Sequence, residues 1–125
     1  MSHSIDTGAL LARSYPLPSG PRVRLRLARR SDIPAIRALL EQRGVEASEL
    51  ALSRLVRYDP WHRVSICATA PIGGTEAIVG VGAIELTAEG EPDTIVVDER
   101  LTDGLADLLG AALVQRARAH SRRVA

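Results

Sequence analysis

The chain has 125 residues, with sixteen arginines and no lysine, fifteen acidic side chains and a formal net charge of +1. This length suits one domain that buries roughly two-thirds of the surface of its unfolded chain, and the near-neutral charge argues against a dominant nucleic-acid-binding surface. A single cysteine, Cys67, excludes an intramolecular disulfide, and the absence of a membrane-length apolar run or a signal-peptide pattern leads us to expect a cytoplasmic protein without membrane contact.

The first half of the chain predicts an arm, one strand and two helices. Residues 1–21 mix serine, glycine and three prolines without periodicity, so we expect a flexible N-terminal arm before a domain at 22–125. Residues 22–28 (RVRLRLA) alternate arginine with apolar residues, which is typical of a half-buried strand. Residues 31–44 (SDIPAIRALLEQRG) predict a helix with Ser31 as N-cap and Gly44 as its stop. A second helix follows from about Glu46 to Arg57.

The second half predicts three strands and a long helix. Residues 63–70 (RVSICATA) and 76–86 (EAIVGVGAIEL) are rich in β-branched residues and are joined by the turn PIGGT. Gly80 and Gly82 within the second of these strands predict a bulge or a close approach of another backbone. The acidic turn AEGEP (88–92) leads to a short strand at 93–98, and the last helix runs from about Thr102 to Ser121. The predicted order is β-α-α-β-β-β-α, an α/β (in stricter usage α+β) domain.

Familiar catalytic and metal-binding patterns are absent from the sequence. The three histidines and Cys67 have no metal-ligand spacing, so we expect no metal. Cys67 alternates with apolar residues and is predicted to be an inert core thiol, while His120 suits the last turn of a helix. His62 is either an exposed loop histidine or a base. Trp61 beside it is predicted to cover the edge of the core, with stacking on a ligand as the alternative.

The stretch LTDGLA (101–106) lies between the last strand and the last helix, where free N–H groups of a helix start bind phosphate. With the element order and the opening RLRLARRSDIPAIRALLEQ, the span from Val97 to Ala119 resembles the GNAT superfamily of acetyl-CoA-dependent N-acetyltransferases. The segments LVRYDPWHRVSICATA and EAIVGVGAIEL are most similar to its bacterial protein-lysine acetyltransferase branch. The resemblance covers residues 22–125 and implies a mixed, mainly antiparallel sheet flanked by three helices.

The resemblance also implies a cofactor-binding loop of pattern Gln/Arg-x-x-Gly-x-Gly/Ala, which holds the pyrophosphate of acetyl-CoA. The matching positions are Leu101, Thr102, Asp103, Gly104, Leu105 and Ala106. Gly104 and Ala106 fit this pattern, whereas Leu101 lacks the expected donor. Asp103 adds a negative charge, and two unit charges 4 Å apart interact by ~4 kcal/mol at an effective dielectric of 20, or ~1 kcal/mol where solvent screens them. Because Asp103 and Asp107 also favour the start of a helix, we predict that this loop caps the helix and binds acetyl-CoA weakly or not at all.

Two further roles follow from the resemblance alone. Backbone N–H groups near Ile95 and Val97 would bind the acyl carbonyl. In the lysine acetyltransferase branch a glutamate on the fourth strand acts as general base, and Glu91 occupies that place here, with Asp93 as the alternative. A base needs a sheltered position, whereas AEGEPD reads as an exposed acidic turn.

The family places acetyl-CoA between its fourth and fifth strands, and the fifth strand follows the third helix. The sequence ends at HSRRVA, soon after the predicted third helix, so we expect a domain that lacks the C-terminal strands. The strand at 93–98 would then be an open edge, and open edges pair with other chains. We therefore expect a homodimer or a partner protein at this edge.

Three functions remain open from the sequence. The first is a degenerate GNAT-like interaction or regulatory module. The second is an active acetyl-CoA-dependent N-acetyltransferase, for a protein lysine or a small amine, whose cleft is completed by dimerisation. The third is an arginine-rich nucleic-acid binder that uses Arg22, Arg24, Arg26, Arg29 and Arg30.

Overall fold

The computed structural model describes residues 13–124 except positions 19, 58, 88 and 102, with side chains described as far as Arg122. Its five strands are β1 (Ser14–Pro16), β2 (Arg22–Leu27), β3 (Arg63–Ile72), β4 (Thr75–Glu85) and β5 (Thr94–Val97). Its three α-helices are α1 (Ile33–Gln42), α2 (Glu49–Val56) and α3 (Leu105–Val124), and short 3-10 turns at Arg30–Asp32 and Glu99–Leu101 precede α1 and α3.

The five strands form one sheet in the order β1-β2-β3-β4-β5, so spatial order equals chain order. Every described pairing is antiparallel, whereas the sequence predicted a mixed, mainly antiparallel sheet. β3 and β4 form a long hairpin whose turn carries two glycines with positive φ, Gly73 (58°) and Gly74 (82°). β1 and β5 are the two edges of the described sheet.

Helices cover both faces of the sheet, and each face has its own apolar core. On one face α3 packs against the sheet, with Leu105, Leu109 and Leu113 fully buried among residues of β2, β3 and β4. On the other face α1 and α2 pack through Ile36, Leu39, Leu40, Leu52, Leu55 and Val56. β3 and β4 contribute apolar residues to both cores, as expected for strands buried on both faces, whereas β2 buries only alternate residues and is half-buried as predicted.

A bulge or a close approach was predicted at Gly80 and Gly82, and the structure has both features in this part of β4. The β3–β4 register shifts between Ala68 and Thr69, which places an extra residue in β4 beside Gly80. A Cβ on Gly80 would lie 2.9 Å from Leu109 Cδ1, and one on Gly82 would lie 2.8 Å from Leu113 Cδ1. The absent side chains therefore allow α3 to pack directly against the backbone of β4.

The helix ends follow the predictions in part. Gly44, with φ of 70°, ends α1 as predicted. The prediction of Ser31 as the N-cap of α1 is wrong, because Ser31 lies within the 3-10 turn and Asp32 is the capping position. Ser48 caps α2 by accepting a 3.1 Å hydrogen bond from the Ala51 N–H, so α2 begins later than the predicted Glu46.

The stretch predicted as a loose arm contains a strand. Residues 1–12 lie outside the described residues, but β1 pairs with β2 over Ser14–Pro16. Arg22 reinforces this pairing, because its Nε donates a 2.7 Å hydrogen bond to the Ser14 hydroxyl. The sheet therefore begins before residue 22.

Candidate functional site

The turn between β5 and α3 is organised by Asp98. Its backbone N–H extends the sheet by donating to the Val79 carbonyl at 2.8 Å. Its carboxylate is buried, with the side chain 6% exposed, and accepts hydrogen bonds from Arg100 Nε at 3.0 Å, Arg100 Nη2 at 2.9 Å and the Arg100 backbone N–H at 2.9 Å. These contacts lower the pKa of Asp98 to about 2, against the opposing effect of burial.

The predicted cofactor loop does not present its first residue to a ligand. Leu101 ends the 3-10 turn and is buried in the core that α3 shares with the sheet. Thr102 lies outside the described residues, and Asp103 and Gly104 are exposed. Leu101 is therefore a core residue at the position where the resemblance implies a donor that faces the ligand. The sequence alone showed only that this donor is missing.

The helix α3 begins at Leu105, three residues later than predicted. Gly104 has φ of 79°, a conformation that favours glycine, and its carbonyl accepts the first helical hydrogen bond from Leu108 at 3.0 Å. The N–H groups of Leu105, Ala106 and Asp107 therefore belong to the first helical turn, where an α-helix offers them no acceptor of its own. This geometry suits an anion, although Asp103 and Asp107 already place negative charge there.

The β5 edge directs backbone groups outward. Antiparallel ladders alternate between residues that bond to the neighbouring strand and residues that do not. Because the N–H of Asp98 bonds to β4, the N–H groups of Val97 and Ile95 alternate with it and point away from β4. Within the described part of the chain no strand pairs with this outer edge. The backbone N–H groups of the two residues predicted to bind an acyl carbonyl therefore point away from β4, to a side on which no described strand pairs.

The two acidic residues considered as a general base differ in their surroundings. Asp93 forms a two-point ion pair with Arg63, with Nη1–Oδ2 of 2.9 Å and Nη2–Oδ1 of 3.0 Å, and this contact lowers the pKa of Asp93. A carboxylate held in this way is a poor proton acceptor at neutral pH. Glu91 is exposed on the loop before β5. Its role as a base stays a prediction.

A cavity of about 300 Å³ lies between α1, α2 and the start of β5. Its charged lining includes Glu46, Arg54 and the Arg63–Asp93 pair. The guanidinium of Arg63 is largely covered, and its Nε is buried without a hydrogen-bond partner among the described atoms. The cavity therefore lies next to β5, the edge strand predicted to contact the cofactor, on the face of the sheet that α1 and α2 cover.

The remaining candidate residues have structural surroundings. Cys67 is buried, and burial raises the pKa of its thiol to about 12, which agrees with the predicted inert core thiol. His62 is exposed, and its Nδ1 lies 2.8 Å from Asp59 Oδ1. Trp61 does not cover the core edge as predicted, because it is 68% exposed and contacts His120 edge-on with ring centroids 5.9 Å apart.

The arginines of β2 are partly engaged within the protein. Arg26 forms a two-point ion pair with Asp32, with both N–O distances 2.8 Å, and Arg22 bonds to Ser14. Two of the five arginines on which the nucleic-acid hypothesis rests therefore already form contacts within the protein. That hypothesis stays a prediction. Among the described residues no group of three metal-binding side chains occurs, and no described helix is long and apolar enough to cross a membrane.

Comparison with solved structures gives a structural relative of this chain. No protein-family model matches the chain, and no curated protein matches it. The structure is similar to the crystal structure of the GNAT domain of S. lividans PAT, with a TM-score of 0.70 and 20% sequence identity over 87% of this chain and 73% of that chain. The five-stranded antiparallel sheet flanked by three α-helices fits this architecture. The chain therefore has the GNAT fold.

Proposed function

We propose that this GNAT-fold domain binds acetyl-CoA weakly or not at all and acts as an interaction or regulatory module. The observation that carries this proposal is the Asp98–Arg100 pair. Arg100 is the one arginine in the stretch 98–107, where a pyrophosphate would be held, and its Nε–Nη2 edge bonds the Asp98 carboxylate. A guanidinium edge that already bonds a carboxylate is not available to bond a second anion.

The charges around the start of α3 strengthen this proposal. Glu99, Asp103 and Asp107 are exposed acids within the same turn and first helical residues, so the turn is negative even after Arg100 is counted. Solvent screens these groups, which limits each repulsion to about 1 kcal/mol. A change of about 1.4 kcal/mol in binding free energy changes affinity tenfold. The repulsion from these three acids, together with the missing donor at Leu101, is therefore expected to weaken acetyl-CoA binding by about two orders of magnitude.

The partner surface in this proposal is the outer edge of β5. Its outward N–H and carbonyl groups can pair with an extended segment of another protein or of a second copy of the chain. The edge is short and uncharged along Thr94–Val97, without the charged residues that block edge pairing in many sheets.

The test is a titration of acetyl-CoA into the purified protein, followed by isothermal calorimetry and amide chemical shifts. The wild type is expected to show no saturable binding at micromolar concentrations. Asp103→Arg is expected to raise the affinity, and Glu89→Arg, which makes the same charge change in the turn after β4, serves as the control. Saturable micromolar binding by the wild type, with shifts centred on residues 101–106, would overturn the proposal.

A second function is favoured by a separate observation. The N–H groups of Ile95 and Val97 point away from β4, and the first turn of α3 follows β5 in the chain; the resemblance to the GNAT superfamily implies a role for both. An active acetyl-CoA-dependent N-acetyltransferase with its cleft completed by a second copy would use them for the pyrophosphate and the acyl carbonyl, with Glu91 as base. Acetyl transfer to lysine peptides that is lost in Glu91→Gln, and that rises with protein dimerisation, would establish this function instead.

A further inference from the structure

A second cavity lies on the α1 side of the sheet, away from the cofactor loop. We call it the α1 groove. It has a volume of about 540 Å³ and lies between α1 and the β3–β4 hairpin. Ligand sites for small molecules are typically ~300–1,000 Å³. No described residue of the stretch 101–106 lines this groove, which shares Asp98 with the turn before α3.

The walls of the α1 groove are small and apolar. One wall is a helical stripe of α1 and the other is the start of β4, and together they supply Ala35, Ala38, Leu39, Ala77 and Ile78. The three alanines leave the space that larger side chains would fill. An apolar ligand body would contact this lining.

The two carboxylates that line the groove, those of Asp32 and Asp98, each form an ion pair with an arginine of the protein. Arg26 is held by Asp32 through two contacts of 2.8 Å. Asp98, which reaches the groove from the end of β5, is held by Arg100. Both carboxylates are buried, so these pairs are fixed parts of the groove rather than charges available to a ligand.

Two opposite charges then remain on different walls. Arg29, just before α1, has no ion pair or side-chain hydrogen bond with a described residue. Glu76, on β4, is exposed and is oriented by the Thr69 hydroxyl, which donates to Glu76 Oε2 at 2.6 Å. Thr69 is itself buried, so the Glu76 carboxylate is held in place by a buried residue of the sheet.

We propose that the α1 groove binds a small zwitterion with an apolar body, a ligand of the amino-acid class. Arg29 binds the carboxylate, Glu76 binds the ammonium group, and the alanines with Leu39 and Ile78 contact the side chain. A ligand with only one of these charges bonds only one of Arg29 and Glu76. This inference is independent of whether the domain binds acetyl-CoA.

The test uses three related probes and amide chemical shifts of the full chain. L-leucine carries both charges, 4-methylpentanoate lacks the ammonium group, and 3-methylbutylamine lacks the carboxylate. Leucine is expected to give saturable shifts at Ala35, Ala38 and Ile78, and each half-ligand is expected to bind roughly three- to tenfold more weakly.

Two variants assign the contacts, and one serves as a control. Arg29→Gln is expected to reduce the affinity for leucine to that for the amine, and Glu76→Gln to reduce it to that for the carboxylate. Arg30→Gln changes the neighbouring exposed arginine, which does not line the groove, and is expected to leave binding unchanged. All three positions are exposed, so folding is retained and is checked by the unshifted spectrum of the free protein.

The proposal is overturned by any of three results. These are the absence of saturable shifts below about 10 mM leucine, equal binding of leucine and both half-ligands, or an effect of Arg30→Gln as large as that of Arg29→Gln.

Discussion

Leu109 of α3 lies against the backbone of Gly80 in β4, at the position that a side chain on residue 80 would occupy. The Leu109 tip would be 2.9 Å from a Cβ there, and the Leu105 tip would be 3.4 Å away. Both leucines are fully buried, so neither tip has free space into which it can move. The packing of α3 on the sheet therefore depends on the absence of this side chain.

Gly80→Ala is predicted to destabilise the fold by about 1–3 kcal/mol, because the added methyl overpacks a dense core. Gly110→Ala is the matched control. A Cβ at Gly110 would be in ordinary contact with Ile95 at 3.5 Å, and alanine favours a helix interior by ~0.5–1 kcal/mol. Urea denaturation of both variants measures the difference. Equal stabilities would contradict the close approach of α3 to β4.

Asp98→Asn is predicted to lower the free energy of unfolding at pH 7 by at most about 2 kcal/mol, since the pKa of Asp98 falls from its usual 3.8 to about 2 on folding. A carboxylate with a lowered folded-state pKa stabilises the protein above its unfolded pKa and loses this contribution as the pH falls through the folded pKa. The difference between wild type and variant should therefore be constant above pH 4 and shrink between about pH 4 and 2. Denaturation at a series of pH values measures it, and a difference that persists at the lowest pH would show that charge is not its cause.

Asp32→Ala is predicted to cost about 1–3 kcal/mol, because it removes the acceptor of two Arg26 hydrogen bonds and of the Arg29 N–H. The double variant Arg26→Met with Asp32→Ala should be more stable than the sum of the single changes predicts. A double-mutant cycle with thermal or chemical denaturation gives the coupling energy. Strict additivity of the two changes would contradict the ion pair.

Cys67 is predicted to react with a disulfide reagent only when the structure opens, because the thiol is buried and its pKa is about 12. At pH 8 the labelling rate of the folded protein should be about a hundredfold or more below that in denaturant. The time course of thiolate release measures both rates. Rapid labelling under native conditions would place the thiol at the surface.

Ile95→Pro is predicted to abolish association with a partner at the β5 edge while it keeps the hydrogen bonds between β4 and β5. The N–H that proline removes points away from β4, so the β4–β5 ladder keeps its hydrogen bonds. Ile95→Val shortens the side chain but keeps the N–H, and is the control. Light scattering over a range of concentrations measures self-association. Equal behaviour of the two variants would exclude pairing through this backbone group.

The sequence predicted the elements that carry strong periodicity and missed those held by distant partners. The alternation in 22–28 and the helical stripes of α1 and α3 arise from burial on one face, the β-branched run 63–70 from burial on both, and the order of these elements is confirmed. The strand Ser14–Pro16 has no such signal, because three residues in a proline-rich stretch become extended only through pairing with β2. Its existence depends on a neighbour that local sequence does not identify.

The turn before α3 was predictable in position but not in detail. Gly104 and Ala106 located the turn, and the structure places them at the start of α3. The burial of Leu101 and the pairing of Asp98 with Arg100 depend on the path of the 3-10 turn, which no motif specified. The α1 groove brings Arg29 and Glu76 together from segments 47 positions apart, so only the folded chain reveals it.

The identity of spatial order and chain order in the sheet bears on how the chain folds. The β3–β4 hairpin can form from local contacts, and β2 and β5 can then add to its two sides without threading past a finished strand. Folding is therefore expected to nucleate at this hairpin, with α3 docking onto Gly80 and Gly82 once β4 is in place. The outer strands join last, so β1 and β5 should exchange their amide hydrogens sooner than the centre of the sheet.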